Sequence, residues 1–295
     1  MQDTPLVSII TPTYNRAYII KNAINSILAQ TYPNWELIIM DDGSTDRTKQ
    51  DIASIGDARI RYYSQLNAGP SKARNHALEL ARGRWVAYLD SDNELLRNYL
   101  EIMLEHFRKH PGALYGIPQG NYTFELYQDG KLIDVVDKSN QFPATLTIQD
   151  IFHRKLHFDM NGFMHAREIF GNGVAFDANL HGMEDWDLVM QIGERYPEGF
   201  MYVPVVLYTY HQRYGTDSLV ANINVSYKDH AQKFEELYQK HKNASLMEGQ
   251  RWYPDRSERW MRLEKDFQDG KLPPAYLYPF PEHWPKNAPA ESSSS

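Results

Sequence analysis

The chain has 295 residues, 42% apolar and 23% charged, with a formal net charge of −7 and no cysteine. That balance describes one large or two modest soluble globular domains. It excludes a disulfide framework, thiolate chemistry and the basic face that a nucleic-acid partner would need. No apolar run reaches bilayer length, and Met1-Gln2-Asp3-Thr4-Pro5 lacks the basic and apolar regions of a signal peptide. The expected location is cytoplasmic, with peripheral contact at the inner face of the membrane left open.

Leu6-Val7-Ser8-Ile9-Ile10 reads as a buried first strand that Pro12 and the polar Thr13-Tyr14-Asn15-Arg16 stop. Ile20, Ala23, Ile24, Ile27 and Leu28 then recur at helical spacing. Glu36 to Met40 is a second strand, ending in Asp41-Asp42-Gly43-Ser44, where Ser44 or Thr45 is positioned to cap the next helix. Ile60 to Tyr63 is a third strand. Asn67-Ala68-Gly69-Pro70-Ser71 turns into a helix running to about Ala81. Gly83 to Leu89 is an apolar strand that stops at Asp90-Ser91-Asp92-Asn93. Leu96 to Phe107 reads as a helix and Ala113 to Gly116 as a strand.

Strand–helix alternation with short connections predicts an α/β fold, with a mainly parallel sheet covered by helices on both faces. The polar ends Thr13-Tyr14-Asn15, Asp41-Asp42 and Asp90-Asp92 then fall along one edge, where such sheets bind their ligands. Neither G-x-G-x-x-G nor G-x-x-x-x-G-K-[ST] is present, so the dinucleotide fingerprint and the P-loop are both excluded. Two carboxylates one residue apart at a strand end repel each other unless a cation or water screens them. Hard oxygen ligands so spaced suit Mg²⁺ or Mn²⁺ carrying a phosphate. The plain alternative is a solvated Asp-Ser-Asp turn.

After about Pro118 the character changes. Tyr122 to Val136 reads as a hairpin turning at Asp129-Gly130, and Thr147 to Phe152 as a short helix. Asn161 to Gly182 is rich in Gly, Phe and His, with weak periodicity. Glu184-Asp185-Trp186-Asp187 opens a helix with Leu188, Val189 and Ile192 inward. Acidic residues in a first turn complement the helix dipole, but Asp185 lies on the inward face, where a carboxylate costs free energy unless paired or used. Met201 to Val206 and Leu207 to Tyr210 read as strand-like segments leading to His211-Gln212-Arg213-Tyr214 and on to Thr216-Asp217-Ser218. From about Asn222 a polar helix, Tyr227 to Lys242, precedes Trp252, Trp260 and Trp284, half of the six Trp. This tail is expected to pack on the body or to meet a membrane or partner protein. Glu291 to Ser295 reads as a disordered end.

Taken together these motifs resemble inverting family-2 glycosyltransferases of the GT-A (Rossmann-like) fold. The matching residues are Val7 to Asn15, Ser26 to Tyr32, Asp41-Asp42-Gly43-Ser44-Thr45-Asp46, Asn67-Ala68-Gly69 with Ala73-Arg74-Asn75, Leu89-Asp90-Ser91-Asp92 and Glu184-Asp185-Trp186. The resemblance covers about residues 5–220. It implies a glycosyltransferase domain over residues 1–221, with a nucleotide-binding half (1–118) and an acceptor-binding half (119–221). A mostly helical, aromatic-rich extension follows over 222–295. By motif, Pro12, Thr13, Tyr14, Asn15 and Asp41 are expected around the base and ribose. Arg74 is expected near the diphosphate, with Asp90 and Ser91 on the nucleotide. Asp92 is the expected metal ligand, joined by His211, for Mn²⁺ or Mg²⁺. Asp185 is the expected general base. Asp177, Glu184, Trp186 and Arg213 are expected on the acceptor or donor-sugar side. Three features depart from the family pattern. Asn93 stands where many members carry a further Asp, Gly173 to Ala178 replaces the usual Gly-Gly-Phe-Asp-Glu, and the region of His211 matches loosely.

The implied partners are a nucleotide-sugar donor, with UDP favoured, and a glycan or lipid-linked glycan acceptor in surface polysaccharide synthesis. A single base opposite the leaving group implies inversion. A sugar-phosphate nucleotidyltransferase would want a Gly-rich basic loop after the first strand, which Pro12 to Arg16 is not. A non-catalytic sugar-nucleotide or glycan-binding module would have no use for both Asp92 and Asp185.

Overall fold

A computed structural model describes residues 4–139, 144–152, 159–180, 182–215, 227–247, 252–269 and 271. Two compact units divide the chain. The first comprises Met1–Asn121 and Asn140–Tyr210, the second Tyr122–Ser139 and His211–Ser295. The expected boundary at 221–222, the Thr216 to Ser218 stretch, Trp284 and the end beyond it lie outside the described residues.

The first unit opens with strand β1 (Val7–Thr13), helix α1 (Ile20–Leu28), β2 (Trp35–Asp41), α2 (Thr48–Ala53), β3 (Ile60–Ser64), α3 (Pro70–Leu80) and β4 (Trp85–Tyr88). Then come β5 (Glu94–Leu95), α4 (Tyr99–Lys109) and β6 (Tyr115–Gln128), and after the hairpin α5 (Ile148–Phe152), β8 (Met164–Ala166), α6 (Glu184–Arg195) and β9 (Phe200–Gly215), with β6 from Tyr122 and β9 from His211 counted in the second unit. The strand order is β3-β2-β1-β4-β8-β6-β9-β5. β1 pairs in parallel with β2 and β4, and β2 with β3. β8 runs antiparallel to β4 and β6, and β5 to β9. The sheet is thus the expected α/β one in mixed form, parallel through its first part with antiparallel strands beyond.

Period-2 alternation splits the parallel strands between two layers. Val7, Ile9, Leu37, Ile39, Ala87 and Leu89 share one apolar cluster with Ile20, Ala23, Ile24 and Ile27 of α1 and Tyr99, Leu100, Met103 and Phe107 of α4. Alternation turns Ile10, Ile38 and Tyr88 the other way, to the face where α3 lies on β1 and β2. Burial on both faces is why these strands read as continuous apolar runs.

Four local expectations are corrected. β1 runs through Pro12 to Thr13, because its pairing with β4 has ended at Ile10–Tyr88 and only the β2 side continues, so the missing proline N–H is not needed. Neither Ser44 nor Thr45 caps α2. The Asp46 carboxylate does this from outside the helix, accepting from the N–H and hydroxyl of Thr48 at 2.9 and 2.5 Å. Helix α4 starts at Tyr99 rather than Leu96, since Leu95 pairs with Tyr208 and the Leu96 N–H donates to the Leu207 carbonyl. The segments at Met201–Val206 and Leu207–Tyr210 belong to one strand, β9.

In the second unit, β7 (Lys131–Ser139) pairs with β6. The hairpin turns where expected, at Asp129-Gly130. Both residues have positive φ, 50° and 72°, as a type I′ turn requires. Helices α7 (Tyr227–His241) and α8 (Trp252–Gln268) pack together, and α7 buries Ala231, Phe234 and Leu237. No helix among the described residues is long and apolar enough to cross a membrane.

Candidate active site

Parallel pairing of β1, β2 and β4 brings their carboxyl ends to one edge of the first unit. Asn15, just past β1, adopts the left-handed conformation at φ 52°, which Asn tolerates better than most residues. From there its N–H donates to Ser44 Oγ at 2.8 Å, and its Oδ1 accepts from the Thr45 N–H at 2.8 Å. These bonds stitch the loops after β1 and β2 together. Asp41 is buried. Its Oδ1 accepts from the Ser44 N–H at 2.8 Å and its Oδ2 from the Tyr62 hydroxyl at 2.7 Å. Asp42 holds the third loop, accepting from Gln65 Nε2 and from the N–H groups of Ala68 and Gly69 at 2.6 to 2.9 Å. Pro12 and Thr13 are buried in the strand, whereas Tyr14 is 45% exposed. The Thr13 hydroxyl is buried with no hydrogen-bond partner among the described residues.

The fourth loop carries the densest charge. Arg74 on α3 is buried and forks between Asp90 Oδ1 at 2.7 Å and Glu184 Oε1 at 2.9 Å. Burial works against its charge, but the carboxylates of Asp90 and Glu184 outweigh it and hold the guanidinium above its ordinary value. Its neighbour Asn75 both donates to the Phe176 carbonyl and accepts from the Phe176 N–H. Adjacent α3 residues thus fix the segment leading into α6. Helix α6 begins after Met183, which is left-handed at φ 61°, an uncommon state for a bulky residue. Glu184, Asp185 and Asp187 fill its first turn. Asp185 is partly buried, Trp186 wholly so. Burial, then the charges of Glu184 and Asp159, push the Asp185 carboxyl well above the usual carboxylate range. The Trp186 N–H, 2.8 Å from its Oδ1, and Arg74 oppose them only in part.

Ser91 and Asn93 are buried, and Asp92 is partly exposed with Oδ2 3.9 Å from Arg16 Nε. Asp177 lies ahead of α6, where its Oδ1 accepts from the Asn179 N–H. His211 and Arg213 belong to the second unit. There the buried Glu125 takes His211 Nδ1 at 2.7 Å on Oε1, while Arg213 Nε lies 3.1 Å from Oε2. Tyr127 also donates to Oε2.

Among the described residues, no group of three or more His, Cys, Asp or Glu side chains is gathered to hold a metal ion. Mg²⁺ and Mn²⁺ are commonly held by one or two carboxylates together with substrate phosphates rather than by a closed protein cage. Asp92, whose Oδ2 lies 3.9 Å from Arg16 Nε, is an oxygen donor of the type such an ion takes.

The family description Glycosyl transferase family 2 matches residues 8–170, more than half of the chain. The chain belongs to this family. Family resemblance extends to named proteins. TuaG of Bacillus subtilis, named as a glycosyltransferase of teichuronic acid biosynthesis, is 40% identical over 153 residues, covering 50% of this chain and 56% of that protein. The Escherichia coli protein WfgD, named as a UDP-Glc:alpha-D-GlcNAc-diphosphoundecaprenol beta-1,3-glucosyltransferase, is 43% identical over 109 residues, 37% of this chain and 43% of that one. The chain therefore spans about half the length of these relatives. The mannosyltransferase PcManGT of Pyrobaculum calidifontis, solved with GDP-Man and Mn²⁺, superposes with a TM-score of 0.54 at 17% identity, over 94% of this chain and 79% of that one. At that identity the likeness speaks for the fold alone, and the fold is that of GT-A glycosyltransferases.

The structure joins Asp90, Arg74 and Glu184 in one network, with Asp185 the next residue after Glu184, and stitches Asn15 to the Asp41 loop. It also adds Asp159, Asn161 and Tyr62, which the sequence did not single out. The signal for the first two was slight: a short Asp-Met-Asn-Gly in a stretch without periodicity. The family match ends at residue 170, so Asp185, Trp186, His211 and Arg213 lie outside it.

Proposed function

We propose that the chain moves a sugar from a nucleotide-diphosphate sugar, UDP-linked in the favoured case, to a hydroxyl of a glycan or lipid-linked glycan, with inversion, in the assembly of a surface polysaccharide on the cytoplasmic side. The observation that carries this reading is the Asp90–Arg74–Glu184 bridge, which ties the nucleotide edge of the sheet to the first turn of α6, where Asp185 sits. The names of TuaG and WfgD support the acceptor and donor classes.

In this reading Pro12, Thr13, Tyr14, Asn15 and Asp41 form the base and ribose pocket, with Asp90 and Ser91 on the nucleotide. Asp92 would hold a Mn²⁺ or Mg²⁺, whose charge would stabilise the leaving diphosphate when bound. Asp185 takes the proton of the acceptor hydroxyl as its oxygen attacks the sugar C1. The bond from C1 to the diphosphate oxygen breaks on the opposite face, so configuration inverts. A carboxyl held above its usual range is the stronger base once ionised. Arg74 is already shared by two carboxylates, so it acts by holding Asp90 and Glu184 rather than as an open phosphate cation. Asp177, Trp186 and Arg213 remain assigned to the sugar or acceptor side.

The test begins with a thermal-shift screen of UDP, GDP, CDP and dTDP with and without Mn²⁺, followed by transfer assays with the selected donor class. Asp185→Asn keeps size and polarity, so donor affinity is expected to stay near wild type. Turnover is expected to fall by roughly a hundred- to ten-thousandfold. Near wild-type transfer by the folded variant would remove Asp185 as base.

A further inference from the structure

Asp159 and Asn161 have no role in the assignments above, yet both are buried polar residues of the first unit, 7% and 1% exposed. Asn161 Oδ1 accepts from the backbone N–H of Asp90 at 2.8 Å. Its Nδ2 donates to Asp159 Oδ1 at 2.9 Å and lies 3.4 Å from Asp90 Oδ2. The Asn161 N–H also reaches Asp159 Oδ1, at 2.8 Å. The remaining oxygen, Asp159 Oδ2, accepts from the Tyr208 hydroxyl on β9 at 3.0 Å. The chain of bonds therefore runs from β9 through Asp159 and Asn161 to the Asp90 turn.

Only an amide fits position 161. Its oxygen meets a donor, the Asp90 N–H, and its nitrogen meets acceptors, the Asp159 and Asp90 carboxylates. An Asp there would set a third carboxylate against two others, and an Ala would leave the Asp90 N–H without its bond. The Asp90 carbonyl in turn accepts from the Asn93 N–H at 3.1 Å, closing the turn that carries Ser91 and Asp92. Fixing Asp90 at its N–H and its carboxylate therefore fixes where Asp92 stands.

We propose that Asp159 and Asn161 are positioning residues that set the Asp90-Ser91-Asp92 turn for the donor's diphosphate, without touching the donor themselves. This deepens, and rests on, the nucleotide-sugar reading above. Because the pair works through a turn already folded, its loss is expected to weaken donor binding out of proportion to stability.

The test uses the full chain. Calorimetry with Mn²⁺ and each of UDP, GDP, CDP and dTDP first identifies the diphosphate that binds wild type. For that ligand, Asn161→Ala is expected to weaken binding by on the order of ten- to a hundredfold, the usual cost of losing a partner of a ligating group. Asp159→Asn, which keeps one oxygen for Asn161, is expected to retain more affinity than Asp159→Ala. Ile151→Val, a core change in α5, serves as the control for stability, with a lower melting temperature and unchanged affinity. If Asn161→Ala does not fold, the Asp159 pair of variants decides. Folded variants that bind like wild type, or whose affinity falls only as far as the control's at equal melting temperature, overturn the proposal. Wild type that binds none of the four diphosphates overturns the nucleotide-sugar reading instead, and this one falls with it.

Discussion

Asp185 carries a second consequence that needs no substrate. Its carboxyl is held above the usual range by burial first and by Glu184 and Asp159 next. The folded state then binds more protons than the unfolded chain between the ordinary carboxylate pKa and the raised one. In that window stability falls as pH rises. Asp185→Asn removes the slope, so the variant is expected to melt above wild type at neutral and mildly alkaline pH and to converge with it in acid. Melting curves from pH 4 to 9 check this. A variant that melts below wild type throughout would mean that the carboxylate serves the helix N-terminus instead. Single residues in motifs were legible in sequence because each motif repeats a chemical need at a strand end. Asp159 and Asn161 were not, because their partners, Tyr208 and Asp90, lie 49 and 71 residues away.

At the scale of elements, β6 and β9 meet without a side chain between them at Gly120. A Cβ there would land on the ring of Tyr208, and one at Gly162, whose φ is +77°, would come within 2.8 Å of the same ring. Gly120→Ala is expected to cost about 1–3 kcal/mol through overpacking. It is also expected to weaken nucleotide binding, by moving the hydroxyl that Asp159 accepts. Urea unfolding and calorimetry on the same preparation separate the two effects, and a loss of stability with intact binding would detach Tyr208 from the site. The alternation from β1 to α4 and the start of α6 were legible, since buried runs and periodic helices each leave a pattern. The three-residue β8 was not. His165 reads as polar but is wholly buried, with its ring nitrogens on the Tyr88 hydroxyl and the Ala166 carbonyl, so its strand shows no alternation. The start of α4 was obscured because the Leu96 N–H bonds to the Leu207 carbonyl of β9, whereas helical spacing alone places Leu96 in the helix.

For the molecule as a whole, the second unit gathers the hairpin and the helices α7 and α8. Ala231, Phe234 and Leu237 are buried on α7, which packs on α8. Ending the chain after about Lys242 removes α8 and is expected to uncover that apolar face. Nucleotide affinity is expected to persist, because the Asp41 pocket and the Asp90 turn lie in the first unit. Gel filtration is expected to show association, and calorimetry unchanged binding. A folded truncation that loses the nucleotide would place the tail in the donor site. The helix Tyr227 to Lys242 was legible from its polar periodicity. The company α7 keeps was not, since amphipathic spacing says which face is buried and never against what.

The fork at Arg74 also has a history in time. One tine reaches Asp90, 16 residues on, and the other Glu184, 110 residues on. A ribosome adding roughly 5–20 residues per second takes from about five to about twenty seconds to cross that gap. During synthesis the guanidinium can meet Asp90 well before α6 exists. No nascent fragment that ends before α6 therefore holds the carboxylate proposed to take the acceptor's proton.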